Sequence, residues 1–289
     1  MPAPAPQDAA RATGPRPGLR AIGATHPALA AFPKAQLRRA VQEHRLRVAY
    51  QPIVRLRDDH VIGQEALARM LAQDGTLLPA ESFIDVAADI AFEPHIDREI
   101  SAQVMAAARS DPAPCTAERG KRFLNCSSAF LSDPAAVQGL AEHHQRWRAT
   151  RMQAGDEETP WVLEITERNL DVSPTRLRER VTPLLDLGFQ LALDDFGSKC
   201  SAFPHLLEMP IRYLKIDQAL VQAAVTDARA ELALRRIVDL AQGLGALPIA
   251  KGIETIATRD RARAAGVAWG QGYLWATPTA TFAVDDGAR

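Results

Sequence analysis

Strand-like and helix-like stretches alternate along most of this 289-residue chain, and many of the strand-like ones are nearly all apolar. Val48 to Val54 (VAYQPIV) and Val61 to Met70 (VIGQEALARM) flank an Arg-Asp-Asp-His turn. Arg122 to Cys126, Trp161 to Ile165, Phe189 to Leu193, Ile211 to Ile216, Leu247 to Ala250 and Trp269 to Leu274 follow at intervals. Helical spacing lies between them: Leu37, Ala40, Val41 and His44; a start at Pro79–Ser82; Ile96 to Ala108; Asp133 to about Ala149; a cap at Ser173-Pro174 with a stop at Gly188; Leu234, Ile237, Val238 and Ala241; and Ala257 to Ala265. Strands without a polar face are buried on both sides, which is the mark of a parallel sheet covered by helices. About eight such units in roughly 250 residues suit a closed (β/α)₈ barrel of the TIM type better than an open sheet.

Polar residues collect at the predicted C-terminal strand ends: Glu65, Asn125, Glu164, Asp194-Asp195, Lys215, Lys251 and Gln271. A closed barrel brings these ends to one mouth, where barrel enzymes carry their sites. An open doubly wound sheet would leave several of these acids far apart. The adjacent Asp194 and Asp195 repel each other unless a cation lies between them. Divalent metal binding is one reading of the pair. A solvated turn is the other, since Asp with Gly close behind is ordinary turn chemistry.

Composition excludes several classes. At 47% hydrophobic the chain buries a sizeable core, and its net charge of −1, with scattered Lys and Arg, carries no nucleic-acid footprint. No stretch of 18 apolar residues and no basic-then-apolar leader occurs, so a soluble, cytoplasmic protein without an integral membrane segment is expected. Three cysteines (Cys115, Cys126, Cys200), with no CxxC pair, fit a reducing compartment rather than a disulfide framework or zinc site. His143-His144 reads as a surface pair. Residues 1–31, rich in Ala, Pro and Arg, read as a flexible tail, with one folded domain over residues 32–285.

With those positions laid out, the chain resembles the EAL domain family of barrel phosphodiesterases and receptors for cyclic di-GMP. The motifs occur in the family's order: Tyr50–Val54 (YQPIV), Glu65-Ala66-Leu67, Arg69, Asn125-Cys126-Ser127, Glu164–Glu167, Asp194–Ser198 (DDFGS), Lys215–Asp217 (KID), Gly252–Thr255 and Gln271-Gly272-Tyr273. The resemblance implies two-metal hydrolysis of one phosphodiester bond in active members. Carried onto this chain, Glu65, Asn125, Glu164 and Asp194 would hold a first Mg²⁺ or Mn²⁺. Asp194, Asp195 and a further glutamate would hold a second. Lys215 would orient the attacking water, so Lys215, Glu65 and Asp194 form the implied catalytic set. Gln51, Leu67, Arg69 and Glu254 would bind the nucleotide, Gln271 would support the metal shell beside it, and Glu167 would brace the loop after Asp195. Hard oxygen donors of this kind suit Mg²⁺ or Mn²⁺ rather than zinc.

The chain departs from the family where the second-metal glutamate should precede Gly252. It carries Lys251 there, in PIAKGIET. That replaces an anionic ligand by a cation, and like unit charges ~4 Å apart repel by roughly 4 kcal/mol at an effective dielectric of about 20. Lys251 is expected to pair with Asp195 in place of the missing metal. Lys199 and Cys200 replace the family's Gly and aromatic in the loop thought to couple dimerisation to the metal site, and Ala276-Thr277-Pro278 replaces G-R-P. The expectation is a receptor for cyclic di-GMP with little hydrolysis, one metal site retained and a second in doubt, signalling through a protein partner or a homodimer. An active phosphodiesterase and a nucleotide-independent interaction module are the alternatives.

Overall fold

A computed structural model describes residues 34–110, 120–151, 159–166, 170, 172–198 and 202–280. The predicted tail, Cys115, Glu167, Lys199 and Cys200 lie outside them. The strands are β1 (Leu46–Arg55), β2 (His60–Leu71), β3 (Leu77–Pro79), β4 (Lys121–Asn125), β5 (Trp161–Thr166), β6 (Gln190–Phe196), β7 (Ile211–Ile216), β8 (Leu247–Ala250) and β9 (Trp269–Gly270). They form one sheet, ordered β1-β9-β8-β7-β6-β5-β4-β2-β3, and a β1–β2 pairing closes eight of them into a barrel.

The ring is not wholly parallel, as the apolar strands had suggested. β1 runs antiparallel to both β2 and β9, while the successive pairs from β2–β4 round to β8–β9 are all parallel. The physical reason is the connection. Only Leu56–Asp59 separate β1 from β2, and so short a link makes a hairpin; a parallel pair needs a crossover of a dozen residues or more. β9 is also shorter than the predicted Trp269–Leu274 strand, because Gly272 presses against the Ile253 backbone, so closely that even a Cβ there would collide, and the chain turns.

Helices α1 (Lys34–Gln42), α2 (Ile84–Asp89), α3 (Glu93–Ala108), α4 (Ser128–Leu131), α5 (Pro134–Arg151), α6 (Pro174–Leu185), α7 (Phe203–Glu208), α8 (Gln218–Ala223), α9 (Ala228–Gly243) and α10 (Ile256–Ala264) accompany the strands. Their apolar faces and the outward strand residues make the main core, which includes Leu124, Trp161, Leu163, Leu193 and Leu214. One expectation fails here. His144 is not at the surface: it is buried among Trp147, Trp161 and Phe189, and its Nδ1 accepts the Trp161 indole N–H at 3.1 Å. Burial and the charge of Arg148 hold its pKa below the ordinary histidine value. The helical stripe of α5 carries it inward, which two adjacent polar letters do not reveal.

Inside the barrel, a separate apolar cluster takes one residue from every ring strand: Ile53, Ile62, Phe123, Val162, Ala192, Tyr213, Ile249 and Trp269. This is a barrel layer, and it is the floor on which the site stands.

Candidate functional site

Strand side chains face the same way every second residue. Two residues beyond the floor toward the mouth therefore lies the next inward tier. From Phe123, Val162, Ala192, Tyr213, Ile249 and Trp269 it comprises Asn125, Glu164, Asp194, Lys215, Lys251 and Gln271. On the antiparallel β1 the step runs backward, from Ile53 to Gln51. On β2 it is three residues, Ile62 to Glu65, where the β1–β2 register shifts. Gln51 then stands directly opposite Glu65 in the pairing. One tier of the barrel thus gathers every residue expected at the mouth except Asp195 and those on the rim.

Glu65 accepts three hydrogen bonds: from Asn125 Nδ2 at 3.0 Å, Lys215 Nζ at 2.7 Å and Gln271 Nε2 at 2.7 Å. Gln271 Nε2 also donates to Gln51 Oε1 at 2.9 Å. Lys215 is fully buried, and its ammonium lies 2.6 Å from Glu164 and 4.0 Å from Asp194. Burial alone would neutralise these groups. For Glu65 burial is outweighed by the charges of Lys215 and Lys251 and by hydrogen bonding, so its carboxyl titrates well below the usual range. For Lys215 burial is outweighed by Glu164, Glu65 and Asp194, and its pKa is raised. Glu164 goes the other way: burial, reinforced by the neighbouring Glu65 and Asp194, pushes it well above the carboxylate range.

On the opposite side, Lys251 Nζ is 2.8 and 2.9 Å from the two oxygens of Asp194 and 2.6 Å from Asp195 Oδ1. Adjacent strand residues normally point to opposite faces, so two neighbouring aspartates should not reach one cation. Asp195 escapes the alternation by adopting φ +55, the left-handed region that Asp tolerates better than most residues. The expected Lys251–Asp195 pair is thus present, and Asp194 is held more completely still. Lys251 itself is steered by Gly252, at φ +68; an added Cβ there would lie 2.4 Å from Gln218 Cβ.

Above this tier opens a cleft of about 380 Å³. Leu67 and Arg69 continue the inward face of β2 from Glu65, because β2 runs past the mouth to pair with β3. Gln51, Glu65, Lys251, Glu254 and Gln271 also border the cleft, so all the predicted nucleotide residues meet there. Sequence reading missed two lining residues, Glu81 and Gln218. Gln218 had a signal, since it directly follows Lys215–Asp217. Glu81 had none.

The donor set can be tested against a cation. Glu65, Asn125, Glu164 and Asp194 offer hard oxygens, and the buried Glu164 Oε2 has no hydrogen-bond partner. Glu65, Glu164, Asp194 and Asp195 outnumber the two ammonium groups of Lys215 and Lys251, an excess of acid that a divalent ion would complement. The Asp194–Asp195 side does not fit a second ion, because Lys251 already lies against three of its four oxygens. Among the described residues no three acidic, His or Cys side chains form a ready cage; the acids close on the two ammonium groups instead.

The same arrangement of chain is found in known proteins. The chain is 27% identical over 251 residues to the oxygen sensor protein DosP of Escherichia coli, covering 84% of this chain and 30% of that protein. It is 30% identical over 231 residues to the cyclic di-GMP phosphodiesterase RocR of Pseudomonas aeruginosa, covering 79% and 56%. The curated relatives it matches are thus longer, and the chain spans about a third to a half of DosP and RocR. Among solved structures, EAL enzyme Bd1971 in its cAMP- and cyclic-di-GMP-bound form superposes with a TM-score of 0.74 at 25% identity, over 85% of this chain and 65% of that one. The FimX EAL domain of Pseudomonas aeruginosa bound to c-di-GMP has the same fold, with a TM-score of 0.73 at 23% identity, over 87% and 98%. The family model for the EAL domain matches residues 34–278, and the chain belongs to the EAL domain family.

Proposed function

We propose that this domain binds cyclic di-GMP as a receptor and hydrolyses it little, because Lys251 takes the place of the second metal ion. The observation that carries the reading is the ammonium of Lys251 within 2.9 Å of both Asp194 oxygens and 2.6 Å from Asp195. A cation so placed offers a phosphate its positive charge but cannot activate water as a metal does. Gln51, Leu67, Arg69, Glu254 and Gln271 are the proposed nucleotide contacts, and Mg²⁺ or Mn²⁺ is proposed on Glu65, Asn125, Glu164 and Asp194. When bound, that ion would neutralise phosphate charge. Lys215 would keep Glu65 ionised and hold Glu164 in register, a role that does not depend on turnover.

The other reading, an active phosphodiesterase, draws support from the names of relatives such as RocR and from the retained Glu65–Asn125–Glu164–Lys215 group. The two separate cleanly in one experiment. Calorimetric titration with cyclic di-GMP is run beside turnover in Mg²⁺ and Mn²⁺, for wild type and Lys251→Glu. Binding without turnover in wild type, with turnover gained in the variant, is expected. Wild-type turnover at the variant's rate would overturn the receptor reading, and absence of binding would overturn both. A protein partner or homodimer is proposed as the output.

A further inference from the structure

Asp97 is a buried acid that none of the mouth chemistry uses. It sits on α3, outside the strand ring, and its Oδ2 accepts two hydrogen bonds from one residue: the Ser127 backbone N–H at 2.8 Å and the Ser127 hydroxyl at 2.6 Å. Ser127 Oγ in turn accepts the Phe130 N–H at 3.1 Å and caps α4. Two residues earlier stands Asn125, the last residue of β4, whose amide donates to Glu65. On the strand side, Cys126 N donates to Glu164 O at 2.9 Å. The turn from β4 into α4 is therefore held from both directions, by the ladder before it and by Asp97 after it.

We infer that Asp97 is a positioning residue for Asn125. A side chain at a strand's last residue is aimed by the turn that follows, and a turn free on its outer side would let the Asn125 amide rotate away from Glu65. With Nδ2 committed to Glu65, the amide oxygen is the atom left for a ligand. Partners of this indirect kind typically change metal affinity by about 10- to 100-fold when removed. The inference rests on the proposed cyclic di-GMP reading only for what the oxygen meets; the aim of the amide is a property of the protein alone.

The test compares Asp97→Val, similar in volume but without an acceptor, with Asp97→Asn, whose amide oxygen accepts both Ser127 hydrogens. The readouts are the Asn125 side-chain ¹H–¹⁵N signal, identified by its loss in Asn125→Ser, and cyclic di-GMP affinity in Mn²⁺. Asp97→Val is expected to shift or broaden the Asn125 signal and weaken affinity about 10-fold or more, and Asp97→Asn to restore both. An Asn125 signal unmoved in folded Asp97→Val, or lost equally in Asp97→Asn, overturns the inference. Should Asp97→Val fail to fold, the smaller Asp97→Ala, which also removes the acceptor for both Ser127 hydrogens, carries the same comparison, and an unmoved signal there overturns it. A shifted signal in a protein whose wild type binds no cyclic di-GMP supports the positioning role while defeating the functional reading.

Discussion

The two lysines of the barrel mouth, Lys215 on β7 and Lys251 just past the end of the neighbouring β8, occupy different kinds of site. Lys215 is fully enclosed, and its carboxylate partners Glu65 and Glu164 are 7% and 0% exposed. Lys251 keeps 22% of its side chain exposed, and its partner Asp195 keeps 29%. A charge sealed among acids is a fixed part of the fold, since removing it strands the others in a poor dielectric. A charge at the edge of a cleft competes with water and ions, so the cleft side is where a substitution changes what the site binds.

The largest effect should come from Lys215→Met. It leaves Glu65 and Glu164 buried without their shared cation and is expected to destabilise the domain by about 3–5 kcal/mol, read from urea unfolding. A loss below 1 kcal/mol would erase the distinction between the two lysines. Next, Lys251→Glu should unfold more easily than wild type without metal, yet gain more from Mn²⁺, by roughly 3 kcal/mol at a hundredfold excess over Kd. Thermal unfolding against Mn²⁺ concentration measures this, and equal gains in both proteins would show that Lys251 excludes no ion. Gly252→Ala comes third. It adds a Cβ against Gln218 at a left-handed position and should cost about 1–3 kcal/mol while displacing Lys251; unchanged stability and Mn²⁺ response would remove Gly252 from the account.

A signature of a different kind is a pH slope away from the mouth. Burial pushes Asp97 up to about 7, despite its hydrogen bonds from Ser127. Because the folded pKa is raised above the unfolded value, the protonated form is favoured in the native state. Its stabilising contribution is complete below about pH 4 and is lost as pH rises through 7. Asp97→Asn should flatten the stability profile over that window. An unchanged slope would place the titration elsewhere.

Much of the site was legible because it follows strand alternation. The apolar strands, their polar ends and the ordered motifs led to a barrel mouth containing Glu65, Asn125, Glu164, Asp194, Lys215 and Gln271. Other features were not legible, each for a physical reason. The turn between the first two strands was legible, but the apolar pattern that argued for a parallel sheet does not report that it makes β1 antiparallel. The positive φ of Asp195 is a local choice that Asp permits but does not require. Asp97 lies 30 residues from Ser127 in sequence, so nothing short-range joins them, and His144 was hidden by the polar look of its neighbours.

By itself the sequence determined the strand–helix order, the inward tier of polar residues and the presence of a lysine before Gly252. Those are properties of letters and their spacing. Only the tertiary structure decided that Lys251 points between Asp194 and Asp195 and not into solvent, and that Asp97 grips the turn behind Asn125. Direction depends on where closure of the barrel sets each strand against its neighbours, and that closure is a long-range balance of burial and charge that no local stretch contains.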